Sequence, residues 1–354
     1  MIISFPRLGD YHVPLSIMLR RVFPQAEIMP PGPVTAKTVE LGARHSPDFV
    51  CMPFKYNLGN YIEALDKGAT VLMGAGGGCR YGFYGELHEL ILKDLGYDFE
   101  YVNFFECGKS VLQIYKLCKK LGSPLSLPRF LLTAHSIIKI LAVMDKGDFF
   151  IRQNSCLEIK PIFDWLRDGY LGSLSAYGGK KLNSLTRDYS RNLGNVKFDK
   201  NKETLRIGLV GELFSLIEPT AQAAIERALI NSGAAVTRHT NLTYLVFQKT
   251  KSIPQLLNTA RPYIDYHLGA DATGTVAHAI DFAENDYDGI IHLKPFGCTP
   301  ELNAIPFLEQ ISRDYKIPVL YLSFDTQTTP TGVGTRIEAF VESLKEKTKW
   351  ITKL

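Results

Sequence analysis

Short apolar runs and amphipathic stretches take turns along the first third of the chain. The runs have the length and residue types of strands, and they lie at 2–5, 27–29, 48–51, 70–73 and 99–103. The stretches between them have helical spacing, at 14–22, 36–44, 57–67, 84–95 and 109–121. Regular alternation of strand and helix predicts a parallel sheet with helices on both faces.

The same alternation returns near residue 205, after a middle region whose apolar spacing is helical, at 125–144 and 162–171. The second set of strands is predicted at 206–212, 235–238, 289–293 and 318–323. We therefore predict an α/β fold with two doubly wound parallel-sheet domains, a helical connector and a cleft between the domains. The predicted boundaries are 1–121, 122–204 and 205–354.

Composition narrows the classes of function. A formal net charge of +4 on 354 residues gives no argument for binding nucleic acid or an anionic membrane. The first residues have the pattern of a strand rather than of a signal peptide, and we find no uninterrupted run of 18 apolar residues. These features predict a cytoplasmic protein, whose six cysteines are thiols available to bind metal.

Three cysteines occupy the same predicted position in the fold. Cys51, Cys79 and Cys298 each follow an apolar run predicted as a strand and precede a predicted helix. Ligands of open α/β sheets bind at that edge of the sheet. Thiolates bind soft metals and iron–sulfur clusters, and the N-terminus of a helix stabilises the negative charge of such a centre. The pattern indicates a metal centre held by these three sulfurs.

Two alternatives remain open from the residues alone. In the first alternative, the three cysteines are inert core residues. In the second alternative, they bind zinc together with His292. Cys118 has the helical spacing of a core residue, whereas Cys107 and Cys156 are weaker candidates for additional ligands.

Charged residues near these cysteines are candidates for chemistry. Lys55 and Arg80 follow Cys51 and Cys79, where they would offset cluster charge or bind a substrate anion. Glu212 follows a strand, where its carboxylate would transfer a proton or cap a helix, and Glu301 is expected to cap one.

Common nucleotide motifs fail on this chain. Residue 103 is Asn where a phosphate-binding loop ending at 108–110 needs its first glycine. Cys79 stands where the last glycine of a dinucleotide fingerprint belongs. We therefore expect neither NAD binding nor ATP hydrolysis by this chain.

Several segments together resemble one family. They are CMPFK at 51–55, GCRYGFY at 78–84, IGLVGE at 207–212, DGII at 288–291, PFGCTPE at 295–301, Asp325, and GTRIEAF at 334–340. The chain resembles the iron–sulfur proteins of the 2-hydroxyacyl-CoA dehydratase, benzoyl-CoA reductase and double-cubane cluster superfamily. Within it, the chain is most similar to the small proteins related to acyl-CoA dehydratase activases.

The resemblance implies a [4Fe–4S] cluster, or a double-cubane [8Fe–9S] cluster, with Cys51, Cys79 and Cys298 as ligands. It also implies an ATP-hydrolysing activator with its own cluster, which supplies low-potential electrons for a small substrate or a partner. A homo- or hetero-oligomer is expected. The sequence departs from the dehydratases in showing no acyl-CoA-binding signature. The alternative functions are a non-catalytic small-ligand-binding or assembly module and a structural zinc protein.

Overall fold

The strands and helices follow the alternation that the sequence predicts. A computed structural model describes residues 1–74, 79–103, 110–177, 181–199, 201–245 and 249–351. The strands within these ranges are β1 (Ile2–Ser4), β2 (Glu27–Ile28), β3 (Val71–Gly74), β4 (Glu100–Asn103), β5 (Leu205–Gly211), β6 (Ala234–Thr237), β7 (Gly289–Pro295) and β8 (Val319–Phe324).

Helices connect and cover these strands. The helices of the first half are α1 (His12–Val22), α2 (Ala36–His45), α3 (Met52–Asp66), α4 (Tyr84–Asp94), α5 (Val111–Lys120), α6 (Leu127–Asn154) and α7 (Phe163–Tyr177). Those of the second half are α8 (Leu182–Gly194), α9 (Leu213–Ile217), α10 (Pro219–Asn231), α11 (Lys249–Ala260), α12 (Ala272–Glu284), α13 (Thr299–Tyr315) and α14 (Pro330–Ile351). Two short 3-10 helices lie at Arg80–Phe83 and Ser155–Leu157.

Both sheets are parallel, and both have the same strand order. The first is β2-β1-β3-β4 and the second is β6-β5-β7-β8. In each sheet the strand that follows a crossover returns to the other side of the first strand, which places helices on both faces. The predicted fold class, α/β with two doubly wound parallel sheets, is confirmed.

Alternate residues of β3 enter different cores. Val71 and Met73 pack against α1, whereas Leu72 packs against α3 and α4. Every residue of β3 is buried, as expected for a strand covered on both faces. In the second sheet every residue of β7 is buried, and Ile290 packs with α12 and α13.

The chain divides into two compact units. One comprises Met1–Ala142 and Leu171–Leu185, and the other comprises Val143–Tyr170 and Thr186–Leu354. Each unit contains one of the two sheets together with part of the helical middle region. The three predicted domain boundaries stay a prediction about which parts fold independently.

The predicted strand at 48–51 is wrong. These residues form a turn and a bend between α2 and α3, and Phe49 is 70% exposed. An apolar run of three residues after Asp48 cannot be distinguished from a turn by its pattern alone. Cys51 therefore precedes a helix, as predicted, but does not follow a strand.

Helix α6 is longer and more apolar than the sequence reading indicated. With the 3-10 turn that follows, Leu127–Leu157 contains an 18-residue window with a hydropathy of 1.5, which would suffice to cross a membrane by length and composition. A core helix of a soluble protein has the same properties, and a third of this window is buried within the protein.

An ion pair connects α6 to α7. Near the C-terminal end of α6, Asp148 pairs with Arg167 of α7.

Candidate functional site

Cys51 lies at the N-terminus of α3, where it is the N-cap residue and half-buried. The position of α3 is set by its close packing against α2. A Cβ atom on Gly42 would collide with the backbone oxygen of Lys55, and one on Gly59 would collide with that of Thr38. Two glycines thus permit the backbones to touch, which fixes the helix start that presents Cys51.

One phenol contacts the sulfur of Cys51. Tyr84 Oη, at the start of α4, lies 3.3 Å from Cys51 Sγ. Burial raises the pKa of Tyr84, and the neighbouring thiols of Cys51 and Cys79 raise it further. Tyr84 thus contacts the sulfur of Cys51, although 33 positions separate the two residues in the sequence.

Cys79 is exposed and directly precedes the 3-10 helix at Arg80–Phe83. Arg80 belongs to that short helix, but its side chain lies outside what the structure describes. Residues 75–78, which contain the glycines before Cys79, are also outside the described ranges. Lys55, the other predicted cation, is half-buried on α3, one turn after Cys51.

An aromatic cluster packs against the ring of Tyr84. Phe54 contacts Tyr84 edge-to-face with ring centroids 4.8 Å apart, and it stacks on His88 at 4.0 Å. His88 is buried, and its Nε2 atom lies 3.0 Å from the Phe54 carbonyl oxygen. Burial lowers the pKa of His88 to about 4, so the ring is neutral near pH 7 and holds Phe54 in place.

Cys298 lies in the second unit, at the position predicted for it. It follows β7 after Phe296 and Gly297, and it is the N-cap residue of α13. Gly297 adopts a φ of 76°, a conformation that favours glycine and turns the chain from strand to helix. Phe296 is 69% exposed, so this loop is open to solvent.

A buried polar group lies behind Cys298. His292 Nε2 lies 2.8 Å from Glu301 Oε2, and Thr275 Oγ1 donates to the same carboxylate at 3.0 and 3.2 Å. Glu301 lies in the first turn of α13, as predicted, but it does not cap the helix, because its carboxylate is 1% exposed and is engaged by Thr275 and His292. His292, the candidate zinc ligand, has one ring nitrogen engaged by Glu301.

Lys294 is a functional candidate that the sequence reading missed. It lies two residues after His292 on β7 and is only 5% exposed. Burial lowers its pKa, while Cys298 and Glu301 act in the opposite direction. A lysine inside a fully buried strand is the signal that could have identified it.

Glu212 caps a helix, one of the two roles predicted for it. Its carboxylate accepts hydrogen bonds from the backbone N–H groups of Phe214 and Ser215, each at 2.8 Å, at the start of α9. Burial raises the pKa of Glu212 to about 7, and the nearby Asp271 contributes, although the hydrogen bonds act against this shift. The capping role leaves the carboxyl able to exchange a proton near neutral pH.

The remaining cysteines have other environments. Cys118 is 1% exposed in the core of the first unit, which confirms the prediction for it. Cys156 is 4% exposed in the second unit, and its carbonyl oxygen accepts a hydrogen bond from Lys202. Cys107 lies outside the described residues.

The thiols are available for chemistry, although their assignment as ligands stays a prediction. Cys51, Cys79, Cys118, Cys156 and Cys298 are present as thiols rather than disulfides. In the part of the chain that the structure describes, no three His, Cys, Asp or Glu side chains are grouped as metal ligands would be. The donors nevertheless have the right chemistry: the half-buried Cys51 sulfur contacts Tyr84, Cys79 is exposed, and Cys298 begins α13.

The two parallel sheets with thiols at helix starts define an α/β protein with candidate sulfur ligands. Residues 171–344 match the family described as 2-hydroxyglutaryl-CoA dehydratase, D-component, so this segment is similar to the 2-hydroxyacyl-CoA dehydratase superfamily. The matched segment contains Glu212, Lys294 and Cys298 but not Cys51 or Cys79. No curated protein matches the sequence closely.

Proposed function

We propose that this protein is an iron–sulfur component of 2-hydroxyacyl-CoA dehydratase-like reductive chemistry. It receives low-potential electrons from a separate ATP-hydrolysing activator with its own cluster, and it passes them to a small substrate or a partner protein. The family match supports the dehydratase-like class, whose members are generally iron–sulfur components. The observation that carries the proposal is the position of Cys51 and Cys298 at helix starts, with Tyr84 in contact with the Cys51 sulfur and Cys298 inside the matched segment.

Cys51, Cys79 and Cys298 are the proposed ligands of a [4Fe–4S] cluster. With three protein ligands, such a cluster supplies one-electron transfer and leaves one iron open to a further ligand. Cys51 and Cys298 are the N-cap residues of α3 and α13, and the N-terminus of each helix stabilises the negative charge of its own thiolate. The Tyr84 hydroxyl is placed to donate a hydrogen bond to the Cys51 sulfur.

A double-cubane [8Fe–9S] cluster needs more sulfur ligands than these three. Cys156 is a poor source of one, because it is buried and burial raises the pKa of its thiol. Cys107 is the other candidate. We therefore propose a single [4Fe–4S] cubane. We also propose that the protein is cytoplasmic and that it functions as an oligomer.

Glu212 is the proposed proton-transfer group. A carboxyl with a pKa of about 7 is half-protonated at neutral pH, so it is able both to give and to accept a proton. The hydrogen bonds from Phe214 and Ser215 fix its orientation at the end of β5. Lys55 and Arg80 are the proposed cations beside the ligands of the first unit.

The proposal is tested by electron transfer from an activator. Anaerobically purified protein is mixed with an activator of this class, and its visible absorption is followed with and without ATP. We expect reduction that requires both the activator and ATP. Reduction at equal rates without ATP, or no reduction even by titanium(III) citrate, would contradict the proposed role.

Variants assign the effect to the proposed ligands. Cys298→Ser should abolish the ATP-dependent absorption change, because it removes a sulfur from the matched segment. Cys118→Ala is the matched control, since it removes a thiol from the core of the first unit, away from Tyr84. Equal loss in both variants would argue against a specific role for Cys298.

A further inference from the structure

Arg238 lies buried in the second unit, directly after β6, and its side chain is 5% exposed. In the part of the chain that the structure describes, neither Nε nor Nη1 of Arg238 has a hydrogen-bond acceptor. Buried donors lose their hydrogen bonds to water, and for that reason nearly all of them are paired in folded proteins. The two donor atoms of Arg238 therefore point to an acceptor from outside the chain.

The carboxylate beside Arg238 does not fill these donors. Arg238 Nε lies 3.8 Å from Glu226 Oε1, a distance that allows an ion pair but is too long for a hydrogen bond. The same oxygen lies 3.8 Å from Nε of Arg152 on α6, so two guanidinium groups share one carboxylate. Glu226 therefore offsets part of the positive charge and leaves the N–H groups of Arg238 available to a ligand.

Three arginines make this part of the second unit electrically positive. Asp148 of α6 pairs with Arg167 of α7 at 2.8 Å, and its side chain is only 15% exposed. Burial alone would raise the pKa of Asp148. The charges of Arg167, Arg152 and Arg238 outweigh burial and lower this pKa. Positive charge that keeps a buried carboxylate ionised also attracts an anion from solution.

Contacts between α6 and β6 hold the arginines in place. Gln153, the residue after Arg152, donates through Nε2 to the Val236 carbonyl oxygen at 2.9 Å and to Thr237 Oγ1 at 2.5 Å. These hydrogen bonds fix the end of α6 against the last residues of β6, next to Arg238. Donors that are fixed before a ligand arrives lose little freedom when it binds.

The position of Arg238 in the fold suits a ligand. β6 is parallel to β5, and Arg238 follows its carboxyl end, the edge at which α/β sheets bind ligands. The rim of the arginine cluster reaches solvent, because the side chains of Glu226 and Arg167 are 20% and 28% exposed. The buried guanidinium is therefore next to groups that solvent reaches.

We infer that Arg238 is the centre of a binding site for a small oxyanion, the carboxylate or phosphate group of a small molecule. The anion accepts hydrogen bonds from the Arg238 guanidinium, and Arg152 adds attraction at longer range. The site uses none of the cysteines and does not require a cluster. Its existence is therefore a separate question from the proposed redox function.

Equilibrium dialysis tests the site. The protein as purified anaerobically is dialysed against labelled orthophosphate or labelled acetate at constant ionic strength, and its iron content is recorded in parallel. We expect one anion bound per chain. Preference for phosphate or for acetate identifies which oxyanion the site takes, and either result supports it. Binding of neither probe by the wild-type protein overturns the inference.

Substitutions at Arg238 locate the bound anion. Arg238→Gln should weaken binding about tenfold or more, because it removes charge-assisted hydrogen bonds. Arg238→Lys keeps the charge but not the guanidinium, and it should weaken binding less. Arg191→Gln is the matched control, since it removes an equal charge from an exposed position of α8, where Arg191 pairs with Asp188. Unchanged affinity in both Arg238 variants, or an equal loss in Arg191→Gln, contradicts the assignment.

A variant of Glu226 separates an anion site from an ion pair that only stabilises the fold, and it also covers the case in which the Arg238 variants unfold. Glu226→Gln removes the negative charge beside Arg238 with little change of shape. An anion site predicts binding that is several-fold tighter, because a competing carboxylate is gone. Equal or weaker binding by folded Glu226→Gln contradicts the site. Loss of iron with intact anion binding contradicts only the cluster.

Discussion

The hydroxyl oxygen of Tyr84 lies 3.3 Å from the sulfur of Cys51. The two residues belong to α4 and α3, and Phe54 packs against the tyrosine ring. Tyr84 is therefore a firmly packed donor beside one proposed ligand, and a change at this residue should affect the redox properties of the centre.

Tyr84→Phe should lower the midpoint potential of the protein while its iron content stays unchanged. A hydrogen bond to a cluster sulfur favours the reduced, more negative state. One such bond is worth about 1 kcal/mol, which for a one-electron couple corresponds to about 40 mV. The measurement is a redox titration followed by electron paramagnetic resonance.

Tyr97→Phe is the control for this prediction, because the Tyr97 hydroxyl donates to Asp66 rather than to a sulfur. Its potential should equal that of the wild type. An unchanged potential in Tyr84→Phe would show that the hydroxyl does not act on the centre.

Glu301→Ala should destabilise the second unit by about 3 kcal/mol. The substitution leaves His292 and Thr275 buried without their shared acceptor. Urea unfolding gives the free energy of unfolding for this variant and for Glu309→Ala, an exposed position on the same helix. A loss no larger than that of Glu309→Ala would mean that the buried group contributes little.

Glu212 should make stability fall as pH rises. Its pKa is raised from 4.5 to about 7 in the folded protein, so the folded state holds a proton that the unfolded state has released between these values. The stabilising contribution of this proton is fully present below pH 4.5. It is lost as pH rises through 7, which lowers the free energy of unfolding by up to about 3 kcal/mol. Glu212→Gln should remove this part of the pH dependence.

The difference between wild type and Glu212→Gln is the quantity to compare, because buried histidines act in the other direction. Burial lowers the pKa of His88 to about 4, so its contribution is lost as pH falls below 6.5. Parallel stability profiles of the two proteins from pH 4.5 to 7.5 would disprove the assignment to Glu212.

Gly42→Ala should separate α2 from α3 and lower stability by about 1–3 kcal/mol. The added methyl group would meet the Lys55 backbone oxygen, which cannot move independently of its helix. Gly172→Ala is a helical control with nothing within 4 Å of the new atom, and it should be neutral or stabilising. Equal stabilities of both variants, from thermal unfolding, would contradict the close packing.

Much of the architecture was predictable because strand and helix patterns differ in period. Strand β7 was predicted at 289–293, and the structure extends it to Pro295. The turn at 48–51 was misread, since three apolar residues carry no period, and Phe49 is exposed. Helix α11 was not predicted, because Lys249–Ala260 is polar and contains Pro254.

The site was less predictable than the fold. The sequence indicated Cys298 at a strand-to-helix junction, but it gave Glu301 a capping role that the structure replaces with contacts to His292 and Thr275. The approach of Tyr84 to Cys51 is a tertiary contact between residues 33 positions apart, and no local pattern encodes it.

The most direct test of the central claim is the iron and acid-labile sulfide content of the anaerobically purified protein and its cysteine variants. The proposed cubane predicts about four iron and four sulfide per wild-type chain, and almost none in Cys51→Ser, Cys79→Ser or Cys298→Ser. About eight iron would favour the double cubane instead. Full iron content in the three variants, or a wild-type chain that contains zinc and no iron, would contradict the account.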